Sequence, residues 1–260
     1  MRFLLRLSLI QKENILPLNY QYELSSSLYH IFNNGNTDFA KWLHTTGFNK
    51  NNKPFRLFTF SNLLITDYKI FDDRIKIFSD EVKLIVSLYP FEIVEPFVTG
   101  LFINNTIDLG DKKSKVKFMI NNIEKLPDIE FSSEMNFNCL SPIHIAWHNP
   151  RTNRIDFLHP DHRLYKELFF KNLVNKFNTY QYYRNLPEEN FDISSYKLDI
   201  LSEPRKKGIN IKVNTKEQTH IIGYSYKFKI FCQKELIRIG YYAGFGKANA
   251  QGFGCCGIIE

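Results

Sequence analysis

The chain has 260 residues, of which 43% are hydrophobic and 15% are aromatic, so it can bury a sizeable core and is not a disordered polypeptide. Its 34 Lys and Arg residues outnumber its 27 Asp and Glu residues, and the resulting net charge of +7 favours a polyanionic partner. Four cysteines do not make a disulfide framework, and no apolar run is long enough to span a bilayer, so we expect a cytoplasmic protein without a membrane partner.

The first half of the chain predicts a mixture of strands and helices. Apolar alternation indicates the strands, and apolar residues at steps of three and four indicate the helices. The predicted strands are 3–10, 55–60, 74–78, 82–89, 106–109 and 116–120. The predicted helices are 20–32, 38–44, which ends at Gly47, and 91–101. The segments 74–78 and 82–89 are expected to form a hairpin.

The second half repeats the same coarse order. Its predicted strands are 137–147, 154–158, 198–201, 209–213, 220–231 and 254–259. Its predicted helices begin behind Pro160-Asp161, continuing through Phe177, and at Lys234, continuing to Tyr242. Two α+β domains, 1–126 and 127–260, are therefore predicted, with the seam near Leu126-Pro127.

Two patterns suggest chemistry that their context does not support. Residues 252–257 match G-x-G-x-x-G, but only three residues follow, so the helix that a dinucleotide site needs cannot form. A group of metal-ligand residue types lacks the paired spacing of a metal site and is interpreted as polar or partly buried side chains. Its members are Cys139, His144, His148, His159 and His162. We expect no metal and no cofactor.

His44 is the strongest candidate for catalysis. It lies where a predicted helix ends in a glycine-containing loop, so its ring can reach a cleft, and Tyr29 lies on the preceding helix. A His that moves protons, with a cation that neutralises a phosphorane, can cleave RNA after attack by the substrate's own 2′-hydroxyl. Lys50 and Lys53 follow in a polar loop and both could supply that charge. A purely structural histidine is the alternative interpretation.

The glycine-rich stretch near the C-terminus is the strongest binding candidate. Five glycines fall within the fifteen residues from Gly240 to Gly254, so the backbone can approach a ligand closely and offer N–H groups to an anion. Lys247 adds charge in its middle; a connection that merely turns the chain is the alternative. Further positive charges are expected on a hairpin, at Arg205, Lys206, Lys207 and Lys212. Such a run suits a phosphate backbone but is more often a solvated face.

Together these stretches resemble the CRISPR-associated pre-crRNA-processing endoribonucleases, the Cas-six family. The resemblance spans the whole chain and is most specific in the glycine-rich loop. It is carried by residues 16–19, 24–29, 43–47, 57–61, 141–143 and the sequence Gly-Phe-Gly-Lys-Ala-Asn-Ala-Gln-Gly-Phe-Gly of 244–254. It implies tandem ferredoxin-like (RRM-like) domains, each an antiparallel sheet with helices on one face.

The resemblance also implies an activity: metal-independent cleavage of CRISPR repeat RNA, which leaves a 2′,3′-cyclic phosphate and a 5′-hydroxyl. The family's catalytic His falls on His44, its Tyr on Tyr29, and its Lys best on Lys50, with Lys53 close enough to keep the assignment open. Where a Lys is common before Leu57, this chain has Arg56, which keeps the charge.

RNA binding is expected in a basic cleft between the domains. The expected RNA-binding residues are Lys53, Arg56, Arg205, Lys206, Lys207, Lys212, Gly244, Gly246, Lys247, Asn249 and Gly252. CRISPR repeat RNA is the expected partner; other effector subunits and a second copy of the chain are open alternatives. A non-catalytic RNA-binding subunit of an effector complex is the rival function, and an unrelated α+β protein with an incidental loop is the third.

Overall fold

A computed structural model describes residues 1–10, 13–211, 213 and 218–259. The strands of the first half are β1 (Arg2–Leu9), β2 (Ile15–Pro17), β3 (Phe48–Lys50), β4 (Lys53–Phe55), β5 (Phe58–Phe60), β6 (Leu64–Ile65), β7 (Tyr68–Phe71), β8 (Arg74–Ile77), β9 (Val82–Leu88), β10 (Thr106–Gly110) and β11 (Lys115–Lys125). Those of the second half are β12 (Glu134–Cys139), β13 (Ala146–Asn149), β14 (Arg154–Phe157), β15 (Lys197–Ile200), β16 (Arg205–Ile211), β17 (Thr219–Ser225), β18 (Lys227–Phe231) and β19 (Cys256–Ile258).

The α-helices are α1 (Gln21–Gly35), α2 (Thr37–Thr45), α3 (Val94–Ile103), α4 (Tyr165–Tyr183) and α5 (Lys234–Ala243). Short 3-10 turns lie at Phe91–Ile93, Ile193–Ser195 and Asn249–Gln251. None of the described helices is both long and apolar enough to cross a membrane.

The first half folds around one antiparallel sheet of order β10-β11-β1-β9-β5, with β6 also paired to β9. Because α1 lies between β1 and β5 in the chain and α3 lies between β9 and β11, this is the βαββαβ arrangement of a ferredoxin-like domain. Every second residue of β1 points into the core, which includes Leu5 and Leu7, both without solvent exposure.

The second half repeats the arrangement in the sheet β15-β18-β12-β19. Here α4 joins β12 to β15 and α5 joins β18 to β19, and Phe137, Phe169, Phe228 and Phe245 pack against one another in its core. The predicted α+β fold with tandem ferredoxin-like domains is therefore confirmed. The exact boundary between residues 126 and 127 stays a prediction.

Two glycines let α1 and α3 approach closely. A Cβ added to Gly35 would lie 1.9 Å from the Pro96 carbonyl oxygen, and one added to Gly100 would lie 1.8 Å from that of Ile31. Only glycine fits such backbone contacts, so the two helices are held at a fixed register. That register also fixes the position of Tyr29 on α1.

Several predicted strands were wrong in extent or partner. β8 and β9 do not form a hairpin: β8 pairs with β2 and β7, whereas β9 pairs with β1 and β5. The reason is that alternation shows which residues face the core but not which strand lies alongside. The predicted strand 137–147 breaks after Cys139, where the Ser141 hydroxyl accepts from the Cys255 N–H, and 220–231 breaks at Tyr226.

The predicted strand 55–60 is also interrupted. Leu57 has a φ of 48°, a left-handed conformation that a leucine rarely adopts and that ends one strand and begins the next. The chain therefore turns immediately after Arg56 and enters β5 in a new direction. This turn lies at the candidate site.

The two halves are joined by a buried arginine. Arg2 is 3% exposed, and its guanidinium donates to the carbonyl oxygens of Tyr241 at 2.6 Å and Cys256 at 2.8 Å and to the Ser87 hydroxyl at 3.2 Å. The same group lies 3.5 Å from the centre of the Tyr241 ring. These partners keep the buried charge hydrogen-bonded and fix β1 and β9 against the second half.

Candidate active site and nucleic-acid interface

A cleft of about 900 Å³ lies between the two halves. One wall is the face of α1 from Tyr22 to Tyr29, the other is a face of α4, and residues 247–251 of the glycine-rich loop complete it. Its described lining holds no Asp or Glu. The basic residues that line it are Lys53, Arg56, Lys171, Lys176 and Lys247. The Lys171 amine pairs with Glu167, and burial lowers the pKa of Lys176 well below its usual value. A cleft with one sign of charge concentrates ligands of the opposite sign.

His44 reaches this cleft from the last turn of α2. Asn36 caps the start of that helix by accepting from the Phe39 N–H at 2.9 Å, and Gly47 ends it, as predicted, with a φ of 58° and an N–H bond to the Trp42 carbonyl. The His44 side chain is exposed and lines the cleft, so it is available to a ligand.

Arg56 connects the parts of the site. Its guanidinium donates to the carbonyl oxygen of His44 at 2.7 Å and to that of Thr46 at 3.2 Å, which completes the C-terminus of α2. A Cβ on Gly47 would lie 2.6 Å from the Arg56 Nη1 atom, so the absence of a side chain there lets the arginine pass. Arg56 also hydrogen-bonds the Tyr29 side chain.

Tyr29 lies against His44. The two rings meet edge to face with their centres 5.2 Å apart. Burial raises the pKa of Tyr29 to about 12, although the charge of Arg56 and its hydrogen bond act in the opposite direction. Tyr29 therefore carries its proton at neutral pH and can donate a hydrogen bond at this point of the cleft.

The structure separates the two lysines that the sequence left open. They face each other across the β3–β4 hairpin, whose turn residues Asn51 and Asn52 have φ values of 53° and 59°. Lys53 is exposed and lines the cleft. Lys50 does not line it, and its amine pairs with Glu188 instead.

The glycine-rich loop is fixed from three elements. Ser25 of α1 donates to the Ala250 carbonyl at 2.6 Å, and Thr59 of β5 donates to the Phe253 carbonyl at 2.9 Å. From α4, the Lys176 amine donates to the carbonyls of Gly244 and Gly246, the latter at 2.8 Å. The loop is thus held between the two halves as a preformed element.

Asn249 holds the loop from within. Its Nδ2 atom donates to the carbonyls of Phe245 at 3.1 Å and Phe253 at 3.0 Å, and the residue is 9% exposed. Gly244 has a φ of 92°, and a Cβ there would lie 2.4 Å from that Nδ2 atom. Asn249 and Gly244 therefore shape the loop, whereas contact of either with RNA stays a prediction, as does that of Gly246 and Gly252.

Lys247 is the exposed cation of the loop. Its Nζ atom donates to the Ala146 carbonyl at 2.7 Å, and its backbone N–H donates to the His144 carbonyl at 2.8 Å. Partial burial lowers the pKa of Lys247, and the nearby charge of Lys53 lowers it further by a smaller amount. These two lysines therefore repel each other and would both gain from a phosphate between them.

The predicted basic hairpin lies beside the cleft and not in its lining. Arg205, Lys206 and Lys207 are on β16, none of them lines the cleft, and burial lowers the pKa of Lys207. Only the apolar end of that strand, Ile211, reaches the cleft. Lys212 lies outside the described residues.

Comparison with known proteins gives the family. Residues 15–124 match the family described as "CRISPR-associated protein Cas6, N-terminal", and residues 124–258 match "CRISPR associated protein Cas6, C-terminal". The chain belongs to the Cas6 family. It is 28% identical to the CRISPR-associated endoribonuclease Cas6 1 of Methanocaldococcus jannaschii, covering 100% of this chain and 95% of that protein. Against the CRISPR-associated endoribonuclease Cas6 of Pyrococcus furiosus the identity is 25%, over 98% and 88%.

The likeness extends to a solved structure. The structure described as "Characterization of a Cas6-related gene from Pyrococcus furiosus" superposes with a TM-score of 0.82 at 25% identity. The match covers 100% of this chain and 98% of the other. The Cas6 resemblance noted in the sequence is thereby confirmed.

Sequence reasoning missed the α4 wall of this Cas6 cleft. Its side chains recur at steps of three and four residues, and they are Leu168, Lys171, Asn172, Asn175 and Lys176. The available signal was the polar residues within an otherwise apolar helix face: Asn172 and Lys176 are 6% and 1% exposed. A lysine that deep is rare without a partner, and here the partner is the glycine-rich loop.

Two of the histidines set aside as a metal group, His144 and His159, pack against aromatic rings. The ring of His144 packs against Phe157 and Phe253, and its Nδ1 atom lies 2.7 Å from the Ile222 carbonyl. Burial lowers the pKa of His144 to about 4. The His159 ring lies against Tyr224. Within the described part of the chain, no three such side chains are grouped to hold a metal.

Proposed function

We propose that this Cas6 protein is an endoribonuclease that cleaves CRISPR repeat RNA without a metal ion, by attack of a 2′-hydroxyl on the adjacent phosphorus. The observation that supports this most directly is the set Tyr29, His44 and Arg56, joined by direct contacts in a cleft whose described lining contains basic but no acidic side chains. The names of the relatives, which are CRISPR-associated endoribonucleases, point the same way.

Each side chain has a role that its chemistry suits. His44 moves a proton at the reacting oxygens as the 2′-oxygen–phosphorus bond forms and the phosphorus–5′-oxygen bond breaks. The neutral Tyr29 hydroxyl donates a hydrogen bond to a reacting oxygen. Arg56 faces the negative phosphorane, since its five N–H donors exceed those used by the α2 carbonyls and Tyr29. The products are a 2′,3′-cyclic phosphate and a 5′-hydroxyl.

The cation assignment departs from the spacing argument. Lys50 suits the family spacing, but its amine is paired with Glu188, and Lys53 lines the cleft without a contact to Tyr29 or His44 among the described hydrogen bonds. We therefore place Arg56 at the phosphorane and assign Lys53 and Lys247 to phosphates on either side. Lys50 is assigned to the surface outside the cleft.

Cleavage of the cognate repeat RNA in EDTA tests this function. We expect a single cut with the products named above, a loss of about 10²–10⁴-fold in rate for His44→Ala, and retained RNA affinity in that variant. Cleavage only after Mg²⁺ is added would contradict the mechanism. Binding without cleavage by the wild-type protein would instead support the non-catalytic RNA-binding subunit.

A further inference from the structure

A second, smaller cavity adjoins the cleft, in the groove between α1 and the strand β10. Its volume is about 360 Å³, which lies within the ~300–1,000 Å³ typical of small-ligand sites. Tyr22 and Ser26 of α1 line both this cavity and the cleft. An RNA chain bound in the cleft therefore has the second cavity within reach.

The charge of the second cavity is opposite to that of the cleft. Its described lining holds Glu23 and Asp108 but neither Lys nor Arg, whereas the cleft is lined by basic side chains. Its other polar residues are Ser26, Ser27, His30, Asn34, Asn104 and Thr106. Because carboxylates repel a phosphate, a nucleotide shared between the two cavities would keep its phosphate in the cleft and place its base in the second cavity.

Tyr22 is placed to hold the face of such a base. It packs against a small apolar cluster of Ile209, Ile211 and Phe253, which fixes its ring at the boundary of the two cavities. Aromatic rings bind unpaired bases by stacking. Tyr22 lies seven residues, about 10 Å along α1, from Tyr29, so the nucleotide is close to the proposed cleavage site.

Asp108 is placed to bind the edge of the base. Its carbonyl oxygen accepts from the Ser27 hydroxyl at 3.0 Å, which fixes β10 beside α1. The side chain is exposed, and its carboxylate forms no ion pair with any described residue. A carboxylate only accepts hydrogen bonds, so it favours the exocyclic amino group of adenine, cytosine or guanine. Uracil has no amino group, and carbonyl oxygens flank its one N–H donor.

We propose that this cavity is a subsite for one unpaired RNA base with an exocyclic amino group, which stacks on Tyr22 and donates to Asp108. The inference rests on the proposed function, because it requires repeat RNA to occupy the adjoining cleft. It supplies a preference between RNA sequences, which phosphate contacts in the cleft do not.

Affinities for modified RNAs test the stacking contact. The cognate repeat, with a 2′-deoxy nucleotide at the cleavage site so that it stays intact, is prepared with each base removed in turn. We expect the wild-type affinity to fall about tenfold at one abasic position, the value of one stacked base. Tyr22→Ala should bind the unmodified RNA about tenfold more weakly and show no further loss at that position.

Two further variants make the stacking result specific. Tyr22→Phe keeps the aromatic ring and should keep the wild-type profile. Tyr68→Ala removes an exposed tyrosine that lines neither cavity, and it should keep that profile as well.

A second set of RNAs tests the contact with Asp108. At the position found with Tyr22→Ala, only the exocyclic amino group is removed, and the affinities for the unmodified and the modified RNA are compared as a ratio. A ratio is needed because the loss of an acidic side chain raises the affinity for any RNA. We expect a ratio of about ten for the wild type and near one for Asp108→Ala.

The controls for this contact keep either the acceptor or the charge change. Asp108→Asn keeps an acceptor oxygen and should keep a ratio above one. Asp38→Ala removes an exposed acid of α2 that lines neither cavity, and its ratio should equal that of the wild type.

The outcomes separate this inference from the function on which it rests. The subsite is wrong if no abasic position loses its effect in Tyr22→Ala, if that position is a uracil, or if Asp108→Ala keeps the wild-type ratio; cleavage by the wild-type protein would still support the enzyme. The expected binding profiles without cleavage support the subsite and contradict the enzyme. If the wild-type protein neither binds nor cleaves the repeat, both are wrong.

Discussion

In the proposed mechanism, Arg56 serves both structure and chemistry. It closes the C-terminus of α2 through the His44 and Thr46 carbonyls and contacts the Tyr29 side chain. A charge at the end of a helix fixes the helix and, here, the imidazole that the helix carries. We therefore expect removal of the guanidinium to change the position of His44 and, in the proposed mechanism, the electrostatic field at the phosphorus.

We predict that Arg56→Ala lowers the single-turnover cleavage rate about 10²-fold or more, because both effects are lost. Arg56→Lys should keep part of the rate, since a lysine keeps the charge but not the planar fork that holds two carbonyls. The matched controls are Lys50→Ala and Lys53→Ala, measured at saturating protein. If the cleavage rate falls more in either lysine variant than in Arg56→Ala, the catalytic cation is that lysine of the β3–β4 hairpin and not Arg56.

At this scale the sequence identified candidate residues but not their contacts. His44 and Tyr29 were chosen from residue type and helix position, and they do meet. Arg56 was expected only among RNA-binding residues, because nothing in the one-dimensional pattern shows that a guanidinium will pass over Gly47. Asn172 was missed because a buried polar residue on a helix looks like any interior position until its neighbours are known.

Among the elements, the α2–β3 connection decides where the imidazole points. Gly47 has a φ of 58° and lies directly beneath Arg56. A side chain there would be strained by about 1–2 kcal/mol and would also press on the guanidinium. The glycine therefore supports the site without contacting a substrate.

We predict that Gly47→Ala lowers the rate of cleavage more than it lowers RNA affinity, because it displaces Arg56 while leaving the other cations in place. The measurement compares the single-turnover rate with the dissociation constant for an uncleavable repeat. Gly257→Ala is the matched control, since a Cβ there meets only Leu140 at 3.5 Å. Equal cleavage rates for Gly47→Ala and wild type would contradict the proposed dependence of cleavage on Gly47 and on the position of Arg56.

Helices were predicted better than strand partners. The periods of α1 and α4 were visible because each buries one continuous stripe. The pairing of β8 away from β9 was not visible, because both strands bury alternate residues whichever sheet they join. The turn at Leu57 could not be predicted for a different reason. Its backbone is left-handed, and leucine is not a residue type that indicates this conformation.

At the scale of the whole molecule, charge is concentrated where the two halves meet. Lys53 and Arg56 come from the first half and Lys247 from the second, whereas Lys176 is buried against the loop and the Lys171 amine pairs with Glu167. Since Lys53, Arg56 and Lys247 face one cleft, an RNA bound there would be held from both sides.

We predict that RNA affinity falls steeply with salt. If Lys53, Arg56 and Lys247 each neutralise one phosphate of single-stranded RNA, the slope of log K against log salt is about −2. Lys53→Ala and Lys247→Ala should each reduce the slope by about 0.7, whereas Lys112→Ala, an exposed lysine outside the cleft, should not. A slope near zero would mean that the RNA does not occupy this cleft.

The anchors of the glycine-rich loop have a consequence for engineering. Ser25, Thr59 and Lys176 bind main-chain oxygens of the loop from other elements, so these three anchors do not depend on the side chain that the loop carries at position 251. Gln251, which lines the cleft, can therefore be randomised in a library while the loop keeps its path. Selection from such a library offers a route to nucleases with altered repeat preference that need no redesign of the scaffold.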